Sequence, residues 1–223
     1  MRRLAIFDLD NTLLGGDSDH AWGEYLIHTG LVDAEEHRRR NDGFYAQYKQ
    51  GVLDMNEYLE FAIAPVVGFS KPRLAQLHAE FMQQFVEPMM LPAAQSLVNQ
   101  HKSAGDLCLI VTATNRFVTG PIAERLGVHD LIATDLEIKQ DVFTGKISGI
   151  PCFKAGKITK LQDWLHARGD ASLGLHNSIF YSDSFNDIPL LEVATEAVAV
   201  DPDDTLKAHA TSKGWRIISL RSA

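Results

Sequence analysis

Five short apolar runs punctuate the chain, and four of them stop at polar clusters. Arg3–Phe7 runs into Asp8-Leu9-Asp10-Asn11-Thr12, and Leu107–Val111 into Thr112-Ala113-Thr114-Asn115. Ser178–Tyr181 ends in Ser182-Asp183-Ser184, Ala197–Val200 ends at Asp201-Pro202, and Trp215–Leu220 forms the fifth run. Such runs predict buried strands. Between them, apolar residues recur at helical spacing: Ala94, Leu97, Val98 and His101; Val118, Ile122 and Leu126, with Gly127 as the stop; Ile158, Leu161 and Leu165. Strands alternating with helices predict a parallel sheet covered on both faces. From Asp135 to Ile150, the alternation of Ile138, Val142, Phe143 and Ile147 around Thr144-Gly145 predicts a hairpin.

One stretch breaks the alternation. From about Gly15 to Met90 only helical patterns occur, through Ala21, Tyr25 and Ile27, Phe44 and Tyr48, Tyr58–Val67, and Leu74, Leu77, Phe81 and Phe85. Gly15-Gly16 and Pro88–Pro92 are the breakers expected at its ends. The predicted fold class is α/β, with a core of residues 1–14 and 91–223 and an all-helical domain of residues 15–90 inserted after the first strand.

Composition narrows the function. The 223 residues are 45% hydrophobic and 22% charged, ordinary for a globular chain. Lys and Arg total 21 against 29 Asp and Glu, a net charge of −8, which disfavours nucleic acid or an acidic membrane as partner. Cys108 and Cys152 are too few and too far apart for a disulfide framework or metal cluster. The apolar start ends at Asp8, short of a signal peptide's core or a membrane span, so a cytoplasmic protein is expected.

The candidate chemistry follows from topology. Ligands of open parallel sheets bind beyond the carboxyl ends of the strands. Asp8, Asp10, Thr112 and Asp183 should therefore converge there. Alone, each also reads as a turn or cap residue. Together, two acidic strand ends would repel unless a cation lay between them, which points to Mg²⁺. A carboxylate can be a nucleophile toward phosphorus, and its neighbour an acid or base. Lys157 opens a helix, where its charge opposes the helix dipole; a bound anion would explain the placement.

These residues bring a family resemblance. Phe7-Asp8-Leu9-Asp10-Asn11-Thr12-Leu13-Leu14 resembles motif I of the haloacid dehalogenase-like hydrolases, Ile110-Val111-Thr112 motif II, Lys157 the motif III lysine, and Tyr181-Ser182-Asp183-Ser184-Phe185-Asn186-Asp187 motif IV. The order matches, and Ser182 and Ser184 stand where glycines are common. The resemblance implies a Rossmann-like, doubly wound core and phosphoryl transfer through an aspartyl-phosphate. Asp8 would be nucleophile and Asp10 general acid and base. Thr112 and Lys157 would hold phosphate oxygens. Mg²⁺ would be held by Asp8, the Asp10 carbonyl and Asp183, with Asp187 supporting the metal. The second aspartate, Asp10, argues against dehalogenation. The helical insert resembles the C1 cap of the phosphoserine phosphatase-like branch.

Within that branch a carboxylate after motif I meets a substrate amine, and Asp17 stands at that place. A cap arginine reads the substrate carboxylate, and Glu60 is expected there instead. That disfavours phosphoserine. Gly15–Trp22 also resembles a bacterial subgroup that includes histidinol-phosphatases, so histidinol phosphate is the expected substrate and histidine biosynthesis the expected pathway. Asp17, Asp19, Trp22, Glu60, Ala113 and Asn186 are the expected substrate contacts. A monomer or homodimer acting on a small phosphorylated metabolite is expected. Phosphoserine or another small metabolite is the alternative substrate. A phosphomutase would need a second phosphate site, and no basic pocket is visible. A non-catalytic protein would lack one of the motif residues.

Overall fold

The computed structural model describes residues 2–140 and 142–221. After the first strand, β1 (Leu4–Phe7), come four helices: α1 (Ser18–His28), α2 (Ala34–Gln50), α3 (Met55–Ile63) and α4 (Lys71–Phe81). One π-helical turn (Met82–Val86) and one 3₁₀ turn (Glu87–Met89) return the chain to the sheet. There follow α5 (Pro92–Ser103), β2 (Leu107–Asn115), α6 (Arg116–Leu126), β3 (Asp130–Lys139), β4 (Val142–Ser148) and α7 (Ala155–Arg168). Then come β5 (Ser178–Ser182), α8 (Ile188–Val193), β6 (Glu196–Val200), α9 (Asp204–Lys213) and β7 (Arg216–Ile218).

The strands form one sheet in the order β4-β3-β2-β1-β5-β6-β7. β1 pairs in parallel with β2 and β5 and so lies at the centre. Its side chains alternate between two cores. Ala5 and Phe7 face the insert side with Ile110, and Leu4 and Ile6 face Leu161, Leu190 and Leu206 of α7, α8 and α9. Because both faces are covered, the central strands are apolar throughout rather than alternating.

The five predicted strands are present. The first half of β3, which extends the parallel sheet from Asp130, lacks the long apolar run that would announce it. The hairpin needs correcting. Lys139 pairs with Val142 and Ile138 with Phe143, so the two strands meet ahead of Thr144-Gly145; Asp141 lies outside the described residues. Thr144 and Gly145 sit inside β4; Gly145 has φ 83°, a glycine serving a strand irregularity rather than a turn.

The two ends of the helical stretch meet. The Gly15 N–H donates to the Met89 carbonyl at 2.8 Å, and Leu14 bridges Met90. Among the described residues no helix is long and apolar enough to cross a membrane.

Candidate active site

Three neighbouring strand ends bring the motif residues together. Asp8 follows β1, Thr112 and Thr114 lie on the last turns of β2, and Asp183 follows β5. Lys157 arrives from the first turn of α7. The Lys157 ammonium is 2% exposed and donates to Asp8 Oδ1 and Asp187 Oδ2, both at 2.7 Å. The Ser182 hydroxyl donates to the same Asp187 oxygen at 2.7 Å. Asp183 Oδ1 accepts from the Thr12 hydroxyl at 2.9 Å, and the Thr12 oxygen accepts the Asp183 N–H at 3.0 Å. Asp10 accepts the Ser18 N–H at 2.6 Å on one oxygen and the Thr114 hydroxyl at 2.8 Å on the other. Thr112 Oγ1 accepts the Thr114 N–H at 3.2 Å.

Electrostatics sharpen the picture. Burial raises Asp8 to about 7 against the pull of Lys157, with Asp187 adding to the rise. Burial, then Asp17, raises Asp10 to about 6. Asp183 is held well above the usual carboxylate range by burial and by Asp8. Burial would push Lys157 down, but Asp187 and Asp8 outweigh it and keep the ammonium charged. A cluster of acids thus shares one buried lysine, and the excess repulsion is what a further cation would relieve.

Above these residues lies a recess enclosing about 490 Å³, open solvent at its mouth included. Asp8, Asp10, Thr112, Ala113 and Thr114 form its floor. Asp17, Asp19 and His20 of the α1 start form one wall. Tyr45, Tyr48 and Tyr58, with Phe44, Leu53 and Met55, roof it from α2, α3 and the link between them. No lysine or arginine is among its lining residues.

Asp17 caps α1: its Oδ1 accepts the N–H groups of Asp19 and His20 at 3.0 and 2.8 Å. Asp19 is 8% exposed and accepts from Asn115 Nδ2 at 3.4 Å. Its carboxyl is raised well above the usual range by burial and then by Asp17 and Asp10, with Tyr58 as a bonding neighbour.

Three expected contacts lie elsewhere. Trp22 is fully buried among Tyr25, Phe81 and Phe117, and its Nε1 donates to the Ala62 carbonyl. It lies a full helical turn beyond Asp19, too deep to offer a stacking surface. Glu60 is exposed. The inward face of α3 carries Met55, Tyr58, Leu59 and Ala62, and Glu60 points the other way. Asn186 is buried but turned away from the recess, with its Nδ2 donating to the Tyr48 carbonyl at 3.2 Å. Asp187 touches Lys157 and Ser182, so its bonded oxygen is engaged where a metal contact was expected.

Sequence reasoning missed Thr12, Thr114, Ser182 and the three tyrosines. The first three sit within two residues of a motif residue, which is a usable signal. The tyrosines carry none, because their place depends on helix packing.

The chain belongs to the haloacid dehalogenase-like hydrolases, whose family model matches residues 5–192. It is 45% identical to the histidinol-phosphatase of Neisseria meningitidis serogroup C (strain 8013) over 222 residues, which is 99% of this chain and 100% of that protein. The crystal structure of a protein of unknown function from Bordetella pertussis Tohama I superposes with a TM-score of 0.91 at 44% identity, covering 99% of both chains. A phosphoserine phosphatase holding a phospho-aspartyl intermediate analogue shares the fold, with a TM-score of 0.70 at 16% identity over 99% of this chain and 94% of that one. The chain is a phosphatase, a phosphoric monoester hydrolase.

Proposed function

We propose that the protein is a Mg²⁺-dependent phosphatase that removes phosphate from histidinol phosphate through an aspartyl-phosphate on Asp8. The observation that carries the substrate is the lining of the recess: acids and tyrosines, with no lysine or arginine and His20 as its one imidazole. A substrate carboxylate would find no lysine or arginine there and would face Asp17 and Asp19. An amine and an imidazole would find Asp17, Asp19 and aromatic faces. The likeness to a histidinol-phosphatase along the whole chain supports the same reading.

In the first half-reaction an Asp8 oxygen bonds phosphorus and the bond to the substrate alcohol breaks. Asp10 gives the leaving oxygen its proton; raised to about 6, it retains a protonated fraction near neutrality. In the second, Asp10 takes a proton from water as that water attacks phosphorus, freeing Asp8 and inorganic phosphate. Lys157 and Thr112 hold phosphate oxygens. Asp8, Asp183 and the Asp10 carbonyl would hold Mg²⁺, which neutralises charge on the phosphoryl oxygens when bound. The donor set fits: Asp183 and Asp8 repel each other at neighbouring strand ends, and Mg²⁺ takes one or two carboxylates with waters and substrate oxygens.

Residues 15–90 act as a cap over this site, with the paired Gly15 and Met89 segments as its joint. The setting is cytoplasmic, with the enzyme working as monomer or homodimer. Acid quench during turnover of histidinol phosphate with Mg²⁺, followed by peptide mass spectrometry, is the test. Phosphate on the Asp8 peptide, absent in Asp8→Asn, is expected. Turnover that survives Asp8→Asn overturns the reading.

A further inference from the structure

The C-terminal end of α2 is held by the core at the same loops that carry the site's charges. Gly51 ends α2 in the left-handed conformation, φ 71°. Its carbonyl accepts the Lys154 ammonium at 2.6 Å. The Tyr48 carbonyl accepts Asn186 Nδ2 at 3.2 Å. The Tyr48 carbonyl also accepts the Gly51 N–H at 2.9 Å, and a cation suits the C-terminal end of the helix dipole. A side chain at Gly51 would meet the Phe185 ring at 2.9 Å, so the backbone seats directly on the core. The Tyr48 ring also lies 5.9 Å from that of Phe153.

The clamping residues are neighbours of the chemistry. Lys154 precedes Lys157 by one turn, and its carbonyl accepts the Lys157 N–H at 3.1 Å. Asn186 adjoins Asp187. The Tyr48 side chain lines the recess, beside Ser184 and facing Asp8, Asp183 and Asp187.

We infer that Lys154 and Asn186 are positioning residues that hold the end of α2 so that the Tyr48 phenol sits over the nucleophile and donates to the bound phosphate ester. The inference rests on Asp8 being that nucleophile. Lys154 acts only through Tyr48, so its effect disappears once the phenol is gone.

A double-mutant cycle with p-nitrophenyl phosphate and Mg²⁺ tests this. Lys154→Met and Tyr48→Phe should each lower kcat/KM by about tenfold, as misplacement by a fraction of an ångström does. The double variant should be no worse than the worse single, a coupling that independent sites do not show. Lys154→Arg, which keeps a donor for the Gly51 carbonyl, should recover activity to within about twofold of wild type. Losses that multiply in the double variant overturn the inference, as does a Lys154→Met enzyme with unchanged kcat/KM. Turnover that survives Asp8→Asn overturns the nucleophile reading and this inference with it. The first two outcomes leave the nucleophile reading standing.

Discussion

The floor and the roof of the recess are built by different rules. On the floor every acid has a fixed partner: Lys157 for Asp8 and Asp187, Thr114 and the Ser18 N–H for Asp10, Thr12 for Asp183. Asp8 and Asp183 follow strand ends that the sheet places side by side, and their partners come from those ends and from the first turns of α1 and α7. The roof offers three tyrosines and apolar side chains from α2 and α3, placed by how two helices pack. The floor can therefore support one chemistry, while the roof is free to vary with the leaving group.

Removing the buried Lys157 ammonium should expose the floor's dependence on it most severely. Lys157→Met leaves Asp8 and Asp187 facing each other in a dry site, a loss of about 3–5 kcal/mol by urea denaturation. Turnover should fall by about 10³-fold or more, because both charge pairing and phosphate contact go. A stability change below about 1 kcal/mol would mean the acids are already protonated in pairs.

Next in size is a linked effect of pH and metal. Burial lifts Asp10 from 3.8 to about 6 and Asp8 to about 7, so the folded chain keeps protons that the unfolded chain has released. Their stabilising contribution is complete below the unfolded value of 3.8 and is lost as pH rises through 6 to 7. At the proposed Mg²⁺ site a divalent cation would take over where the protons leave. The rise in Tm on adding Mg²⁺ in place of EDTA should thus be several degrees larger at about pH 8 than at about pH 5. Equal rises would contradict a metal site at these acids.

A smaller effect falls on the joint between floor and helix. A methyl at Gly156 would run into the Pro151 carbonyl, next to Lys157. Gly156→Ala should cost about 1–3 kcal/mol by thermal or urea unfolding and slow turnover. The smallest effects belong to the roof side. Asp19→Asn should raise KM for histidinol phosphate by about tenfold with kcat nearly kept, as loss of a binding contact does. Glu60→Gln, on the outer face of α3, should leave both constants unchanged within about twofold. A KM rise in Glu60→Gln would restore the sequence-based expectation for that residue.

The same division explains what the sequence revealed. Asp8, Asp10, Thr112 and Asp183 were legible because each follows an apolar run directly, and parallel strands carry their ends to one edge. Lys157 was legible as a lysine out of place at a helix start. Glu60 and Trp22 were misplaced because a helix face is read only to within its phase. Met55 and Tyr58 turn inward, and Glu60, two residues on from Tyr58, turns outward. In α1 only the first turn, with Asp19, reaches the recess, and Trp22 lies in the core. Asn186 was close in sequence to the acids, yet its side chain serves the end of α2 instead. The pairing of Lys139 with Val142 was hidden because Gly145 is the more conspicuous breaker.

The most direct test is kcat/KM with Mg²⁺ for histidinol phosphate against phosphoserine, with Asp8→Asn as the blank. A recess lined by acids and tyrosines predicts a preference for histidinol phosphate of about a hundredfold or more, close to 3 kcal/mol in transition-state binding. A preference for phosphoserine would contradict it, since a carboxylate would then be bound in a recess whose lining holds no lysine or arginine.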